Sequence, residues 1–279
     1  MKAALLQLCA SDDPVENLST TVRLIDQAID RGATFVLTPE VSNCVSTSRD
    51  QQRAVLVRER DDITLAAVRT KAADEGVHIL IGSLGLATDD ARGRFANRSF
   101  LIGPDGAIRA RYDKIHMFDV QIDESETYRE SDGYRPGEQA IVADAGFAKI
   151  GMSVCYDLRF PLLANALAKA GAEVLTYPAA FSPVTGAAHW HSLLRARAIE
   201  TGCWVLAPAQ TGHHEAVAGK RRQTFGHSLV VDPWGEVVLD AGQETGVYIF
   251  DLDLGKVAEA RRRVPALANA RVFEAPRAG

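Results

Sequence analysis

The sequence predicts an α/β protein in which two packed sheets are covered on their outer faces by helices. Short apolar runs of strand length alternate with longer segments of helical period along the chain. The strands are numerous, with helices in pairs between them. No internal repeat or low-complexity linker divides the 279 residues. α/β chains of this length are commonly built around one core, so a single domain over 1–279 is expected, ending in a short polar tail from about residue 265.

Lys2 to Leu8 reads as a strand, and Pro14 to Arg31 as a helix with proline in its first turn and Gly32 beyond its end. Thr34 to Leu37 is a short strand running into Pro39-Glu40. Asp62 to Glu75 is a helix stopped by Gly76, followed by a strand from His78 to Leu84. Asn97 to Ile102 and Ala107 to Tyr112 form a hairpin, because Asp105-Gly106 supplies the turn between two runs of β-formers. The stretch from Lys114 to Gly137, rich in Asp, Glu, Ser and Gly, reads as a long irregular segment, and such segments inside compact domains tend to be functional or disordered. Ala148 to Val154 is an apolar strand leading into Cys155. Pro161 to Ala170 is helical, Glu173 to Tyr177 a strand, and His189 to Thr201 a helix. Strands recur at Trp204 to Ala207, Ser228 to Val231, Glu236 to Leu239 and Val247 to Asp251, before a last helix near Lys256 to Arg263.

The apolar fraction of 47% and charged fraction of 24% permit a sizeable core under a solvated surface. A net charge of −5, with Lys and Arg dispersed and the short runs at Lys220 to Arg222 and Arg261 to Arg263 free of aromatics, argues against nucleic acid. No segment reaches about 18 uninterrupted apolar residues, so no membrane span is expected. The N-terminal apolar stretch is too short for a signal peptide and meets Asp12 and Asp13 at once, which points to a cytoplasmic protein. The four cysteines share no zinc or CxxC spacing and are expected as reduced thiols.

Three strand ends carry candidate chemistry. Cys155 follows Ile150 to Val154 where the chain turns polar, the position at which open α/β sheets gather catalytic groups; the alternative is a small buried hydrophobe. Glu40 ends a second strand, either as a surface or capping group or as a base tuned by burial. Lys114 ends the third, and an isolated lysine there is commonly solvated. Together they meet the needs of acyl transfer: a thiol, a base to activate it, and a cation where the oxyanion develops.

The histidines offer rival chemistry. His116 beside Cys155 would imitate a thiol protease, while His189/His191 and His213/His214 invite a metal reading. Residues two apart on a helix do not face one another, and adjacent histidines in a polar loop are expected to be solvated, so no metal site is predicted. Gly82-Ser83-Leu84-Gly85 lacks the context of a phosphate loop and reads as a hairpin or strand end. Trp190, Trp204 and Trp234 read as packing residues.

In chain order, Thr38-Pro39-Glu40, Tyr112-Asp113-Lys114-Ile115-His116, Cys155-Tyr156-Asp157-Leu158-Arg159-Phe160-Pro161 and Asp232-Pro233-Trp234-Gly235 resemble the carbon–nitrogen hydrolase (nitrilase) superfamily over nearly the whole chain. Phe118-Asp119, Thr185 to Trp190, Arg195 to Glu200 and Gly226-His227-Ser228 resemble its branch of deaminated glutathione amidases and ω-amidases. Ala209-Gln210, His213-His214 and Phe225 to Ser228 are more like the former. The resemblance implies a four-layer α-β-β-α sandwich that forms a homodimer or higher homo-oligomer, with Glu40 as base, Lys114 as oxyanion partner, Cys155 as nucleophile and Glu130 as a second glutamate holding Lys114 and substrate. It implies no metal or organic cofactor.

On this reading a small carboxylated amide is hydrolysed to acid and ammonia through a thioester on Cys155, the oxyanion held by Lys114 and the backbone N–H of Tyr156. Arg159 could pair bidentately with a substrate carboxylate, or form a structural ion pair with Asp157 or Glu173. Phe181 and Thr185 could wall the pocket, or serve the core and a turn. Two residues depart from the family pattern: Thr38, where an apolar residue is usual, and His191, where glutamate is usual and the pocket rim or a salt bridge is at stake. An ω-amidase or N-carbamoyl hydrolase with the same triad, or an inactive relative binding a ligand or partner, are the alternatives.

Overall fold

The computed structural model describes residues 1–122, 127–275 and 277. In chain order the elements are β1 (Lys2–Gln7), α1 (Pro14–Asp30), β2 (Phe35–Leu37), α2 (Arg49–Val55), α3 (Ile63–Glu75), β3 (His78–Leu86), β4 (Ala96–Ile102) and β5 (Ile108–Asp113). A short pair follows, β6 (Asp119–Gln121) and β7 (Thr127–Arg129), then β8 (Ile141–Asp144), β9 (Lys149–Met152), α4 (Pro161–Lys169), β10 (Val174–Thr176), α5 (Pro183–Thr201) and β11 (Trp204–Ala207). The chain closes with β12 (Thr211–His213), β13 (Gln223–Phe225), β14 (Leu229–Val231), β15 (Val237–Asp240), β16 (Gly246–Asp251), α6 (Gly255–Arg263) and α7 (Ala266–Asn269).

Local chemistry accounts for the helix ends. The Asp13 carboxylate accepts from the N–H groups of Val15 and Glu16, with Pro14 opening α1. Asp62 caps α3 through the Leu65 N–H at 2.8 Å, and Gly76 ends it in the left-handed region at φ 65°. Helix α5 begins at Pro183 rather than His189, because Ser182 caps it and proline suits the first helical position.

Two six-stranded sheets form, in the orders β16-β1-β2-β3-β4-β5 and β15-β14-β11-β10-β9-β8. Each has three parallel strands at its heart, β1-β2-β3 in one and β9-β10-β11 in the other. Period-two alternation decides the layers. Ala3, Leu5, Phe35, Leu37 and Leu80 face the other sheet and share a core with Ile150, Met152 and Val205. Their neighbours Ala4, Leu6, Val36, Ile79 and Ile81 face the opposite way and pack under Leu24, Ile25 and Ala28 of α1 and Leu65, Val68 and Ala72 of α3. The second sheet is covered in the same manner by α4 and α5 through Leu163, Leu167, Trp190 and Leu194. The result is the expected α-β-β-α sandwich.

Several short elements escaped the periodicity. Helix α2, strand β8 and the β12–β13 hairpin are present, and the stretch after Lys114 is not wholly irregular, since β6 and β7 pair within it. Residues 123–126 of that stretch lie outside the described residues. The run Gly82 to Gly85 falls in the last part of β3, where the register shifts between Ile81 and Leu84. Trp190 and Trp204 are buried packing residues, whereas Trp234 is exposed with Arg263 over its ring at 3.8 Å.

Candidate active site

The site assembles beyond the carboxyl ends of the parallel strands, where chains leave both sheets and turn across the sandwich. Glu40 stands three residues after β2 and is buried. Its Oε1 accepts from Lys114 Nζ and from Asn97 Nδ2, each at 2.9 Å, and its Oε2 accepts from the Ala180 N–H at 2.9 Å. Its own carbonyl accepts from Gln210 Nε2 at 3.0 Å. The carboxylate is therefore held by three donors and its backbone by a fourth.

Lys114 follows β5 directly and is only 2% exposed. Its ammonium also donates to both oxygens of Glu130, at 2.9 Å each. Glu130 opens a 3-10 turn after β7, and its Oε2 additionally accepts from the Phe118 N–H at 2.6 Å. The β6–β7 pair thus brings Glu130 back onto Lys114.

Cys155 begins the 3-10 turn Cys155–Arg159 after β9, in the left-handed region at φ 51°. Val41, next to Glu40, is likewise left-handed at φ 45°. A branched residue seldom adopts such a backbone, and strain of this kind costs about 1–3 kcal/mol. Surrounding bonds hold both: Cys155 N–H donates to Pro178 O at 2.9 Å, and Val41 N–H to Ser83 Oγ at 2.8 Å. Tyr156 follows at the start of the turn, where backbone N–H groups have no acceptor within the turn itself.

Electrostatics sort the protons. Burial pushes the Cys155 thiol well above its ordinary pKa, and the neighbouring Glu40 charge adds to this against Lys114. Burial likewise pushes the Glu40 carboxyl up, but the Lys114 ammonium and then the Arg222 guanidinium outweigh it, holding the carboxyl below its usual range. Burial disfavours the Lys114 charge, yet Glu130, Glu40 and Cys155 together raise its pKa well above normal. The resting site is thus a neutral thiol, a carboxylate and an ammonium.

A pocket of about 740 Å³ opens over these groups. Glu40, Lys114, Glu130, Cys155 and Tyr156 line it, as do Phe181 and Thr185. Arg159 does not. Its guanidinium lies over the Phe181 ring at 5.5 Å and the Tyr156 ring at 5.9 Å, with Nη1 3.3 Å from His189 Nδ1. Nor does it pair with Asp157 or Glu173. Asp157 is buried and accepts from Tyr112 Oη at 2.6 Å, from the His116 backbone N–H at 3.1 Å, and from the Val154 N–H at 2.8 Å, with His116 Nδ1 at 2.7 Å. His116 is therefore tied to Asp157 and stacked on Phe160 at 3.5 Å, which removes it as a partner of the thiol.

The two departures from the family pattern resolve differently. Thr38 is buried, its hydroxyl accepting from Ser42 Oγ and from the Gly82 N–H at 3.0 Å each. His191 lies outside the pocket, with Nε2 2.8 Å from Asp240 Oδ2, while His227 Nδ1 lies 2.9 Å from Oδ1 of the same carboxylate. These three could offer ligand atoms to a metal, all within 4.8 Å of one another, although Asp240 already satisfies both imidazoles. His214, expected to be solvated, is buried instead, between Ala10 O at 2.7 Å and Thr224 Oγ1 at 2.8 Å, because the β12–β13 hairpin folds it inward.

Asn97, Ala180 and Arg222 belong to the site but were not singled out from sequence. Asn97 bridges Glu40 and Glu130, and its own Oδ1 is buried without a partner. The one available signal was its place near the start of β4, where Asn97, Arg98 and Ser99 precede the apolar run Phe100 to Ile102.

The carbon–nitrogen hydrolase family model matches residues 2–262. A deaminated glutathione amidase of Yersinia enterocolitica is 40% identical over 269 residues, covering 96% of this chain and 92% of its own. The NitFhit protein of C. elegans superposes with a TM-score of 0.88 at 32% identity over 97% of this chain, which spans 65% of that protein's length. Nit3 of Saccharomyces cerevisiae, a member of branch 10 of the nitrilase superfamily, superposes with a TM-score of 0.82 at 29% identity, covering 95% of this chain and 94% of its own.

Proposed function

This chain belongs to the carbon–nitrogen hydrolase family and is a hydrolase of carbon–nitrogen bonds other than peptide bonds; from that premise we propose that it is a cysteine-dependent amidase for small carboxylated amides of the deaminated-glutathione type. The observation that carries this reading is the convergence of Glu40, Lys114 and Glu130 around Cys155 at the floor of one pocket. The name shared by its relatives supports the substrate class.

Glu40 takes the thiol proton as Cys155 Sγ bonds to the amide carbon. Lys114 and the Tyr156 N–H stabilise the oxygen as it gains charge, and Glu130 keeps the ammonium oriented. The carbon–nitrogen bond then breaks, with Glu40 returning the proton to nitrogen. A thioester remains. Glu40 next removes a proton from water, whose oxygen attacks the thioester carbon; the thiolate leaves and regains that proton. A carboxylate flanked by a thiol suits both tasks, since each half-reaction needs a base first and an acid second. The nitrogen departs as ammonia from a primary amide, but as an amine from a substituted amide such as deaminated glutathione.

The pocket's volume suits a ligand of that size. Phe181 and Thr185 serve as its walls. Among the described residues no helix is long and apolar enough to cross a membrane. A cytoplasmic homodimer or higher homo-oligomer remains the proposed state, with exposed apolar residues such as Leu162 of α4 and Ile199 of α5 available to a second copy.

The test is mass spectrometry after mixing with deaminated glutathione, glutaramate, and carbamoyl compounds. The wild type should gain the mass of the acyl group on Cys155, and Cys155→Ser should gain none and turn over none. Near-normal activity in Cys155→Ser would remove Cys155 as nucleophile. An adduct carrying a carbamoyl group would favour the N-carbamoyl alternative instead.

A further inference from the structure

Among the cations that line the pocket, one has an arrangement unexplained by the chemistry at Cys155. Arg222 lies on the pocket wall just before β13, on the side of Ala180. Its Nη2 donates to Ala180 O at 2.5 Å, while its Nε is buried and has no partner. A guanidinium has five N–H donors in a rigid fork, and a donor buried without an acceptor carries a desolvation cost that only a partner offsets. Among the described residues Arg222 forms no ion pair.

Of the other cations that line the pocket, Arg129 and Lys220 are exposed side chains in solvent contact, without a buried donor like that of Arg222. Arg221 pairs with Glu215 at 2.7 Å, and Arg49 lies over the Tyr134 ring with Nη1 on Gln52 Oε1 at 2.7 Å. Arg159, the residue that sequence favoured for carboxylate binding, stands outside the pocket against Phe181 and Tyr156. Arg222 is also near enough to the reacting groups for its charge to be felt at Glu40. Two carboxylates, Glu40 and Glu130, face a single ammonium on the pocket floor. A carboxylated ligand entering there would meet repulsion from that floor unless a cation on the wall received it.

We infer that Arg222 is the residue that receives the substrate's carboxylate, so that it sets the enzyme's preference for acidic over neutral amides. This rests on the proposed amidase reading for its substrate class, but not for its test. The anion completes the guanidinium fork, and the Ala180 carbonyl fixes the fork's direction. Arg159 then acts at one remove, by backing the aromatic wall.

Binding can be measured without turnover by calorimetry on the Cys155→Ala protein, using glutaramate and its neutral counterpart glutaramide. Glutaramate should bind more tightly than glutaramide, and Arg222→Gln should weaken glutaramate on the order of ten- to a hundredfold while leaving glutaramide unchanged. Arg222→Lys should recover part of the loss. Arg159→Gln should weaken both ligands alike. The inference is overturned if Arg222→Gln weakens both equally, which is the signature of a merely structural role, or if glutaramate binds no better than glutaramide with Arg222 intact. Selective binding with no turnover by the wild type on any amide would leave Arg222 as the anion receptor and remove the amidase reading.

Discussion

Burial gives single polar side chains here unusual leverage, and His214 is the clearest case outside the pocket. Its ring is enclosed by Ala10 and Thr224, and burial pushes its pKa down to about 4. An unfolded histidine titrates near 6.5, so the folded state resists the proton that the unfolded state accepts. Stability from this residue is complete above about pH 6.5 and is lost as the pH falls toward 4. The loss can reach on the order of 3 kcal/mol. Urea unfolding at pH 7.5, 5.5 and 4.5 should show His214→Gln losing less stability than the wild type across that interval. Parallel profiles for the two proteins would show that His214 is not the responsible group.

At the scale of elements, β3 acts as a spacer for the strand ends that carry the chemistry. A Cβ added at Gly82 would lie 1.9 Å from Thr38 O and 2.5 Å from Pro178 Cβ. Those contacts are the turn leading to Glu40 and the residue whose carbonyl holds the Cys155 N–H, so Gly82 is small because two arms of the site close over it. Both neighbours are ordered segments that cannot move aside as a flexible side chain would. Gly82→Ala should therefore lower both stability, by about 1–3 kcal/mol, and activity. Substitution at Gly76, where no atom lies within 4 Å, should cost stability through its left-handed φ of 65° but leave the kinetic constants unchanged. Denaturation midpoints and kinetic constants for the two variants separate crowding of the site from ordinary backbone strain.

For the whole molecule, the question is what locks two sheets in the alignment that the site requires. Apolar contact between their inner faces is strong but not directional. Asp157 supplies direction: it reaches from the second sheet's turn to Tyr112 at the end of β5 and to His116 beyond it, flanking Lys114, while also holding the Val154 N–H beside Cys155. Asp157→Ala would leave the Tyr112 hydroxyl and the Val154 N–H buried, and the His116 N–H half-buried, without acceptors. The expected loss is about 3–5 kcal/mol by chemical denaturation, with kcat falling as Lys114 loses alignment to Cys155. A stable variant of normal kcat would mean that core packing alone aligns the sheets.

Much of this was legible in order along the chain because it depends on neighbours in sequence. Alternation of Ala3 to Leu6 set the two faces of β1, Asp13-Pro14 and Asp62 marked helix starts, Glu40 and Cys155 were found as polar residues after apolar strands, and Lys114 after the alternating strand β5. Contacts between distant segments left no such trace. Glu130 reaches Lys114 only because β6 and β7 turn back. Asn97 serves Glu40 across 57 positions, and Arg222 reaches Ala180 across 42. His214 was misplaced for the same reason, and Arg159 met the Tyr156 and Phe181 rings rather than either acidic partner named for it, since whether a polar side chain faces a pocket, a ring or the interior depends on what arrives from elsewhere. The sequence by itself determined the layers, the helix ends and the chemical kinds available, because periodicity and capping act within a few residues. Only the tertiary structure decided which charges meet and which protons move, because burial and Coulomb interaction depend on distances through space.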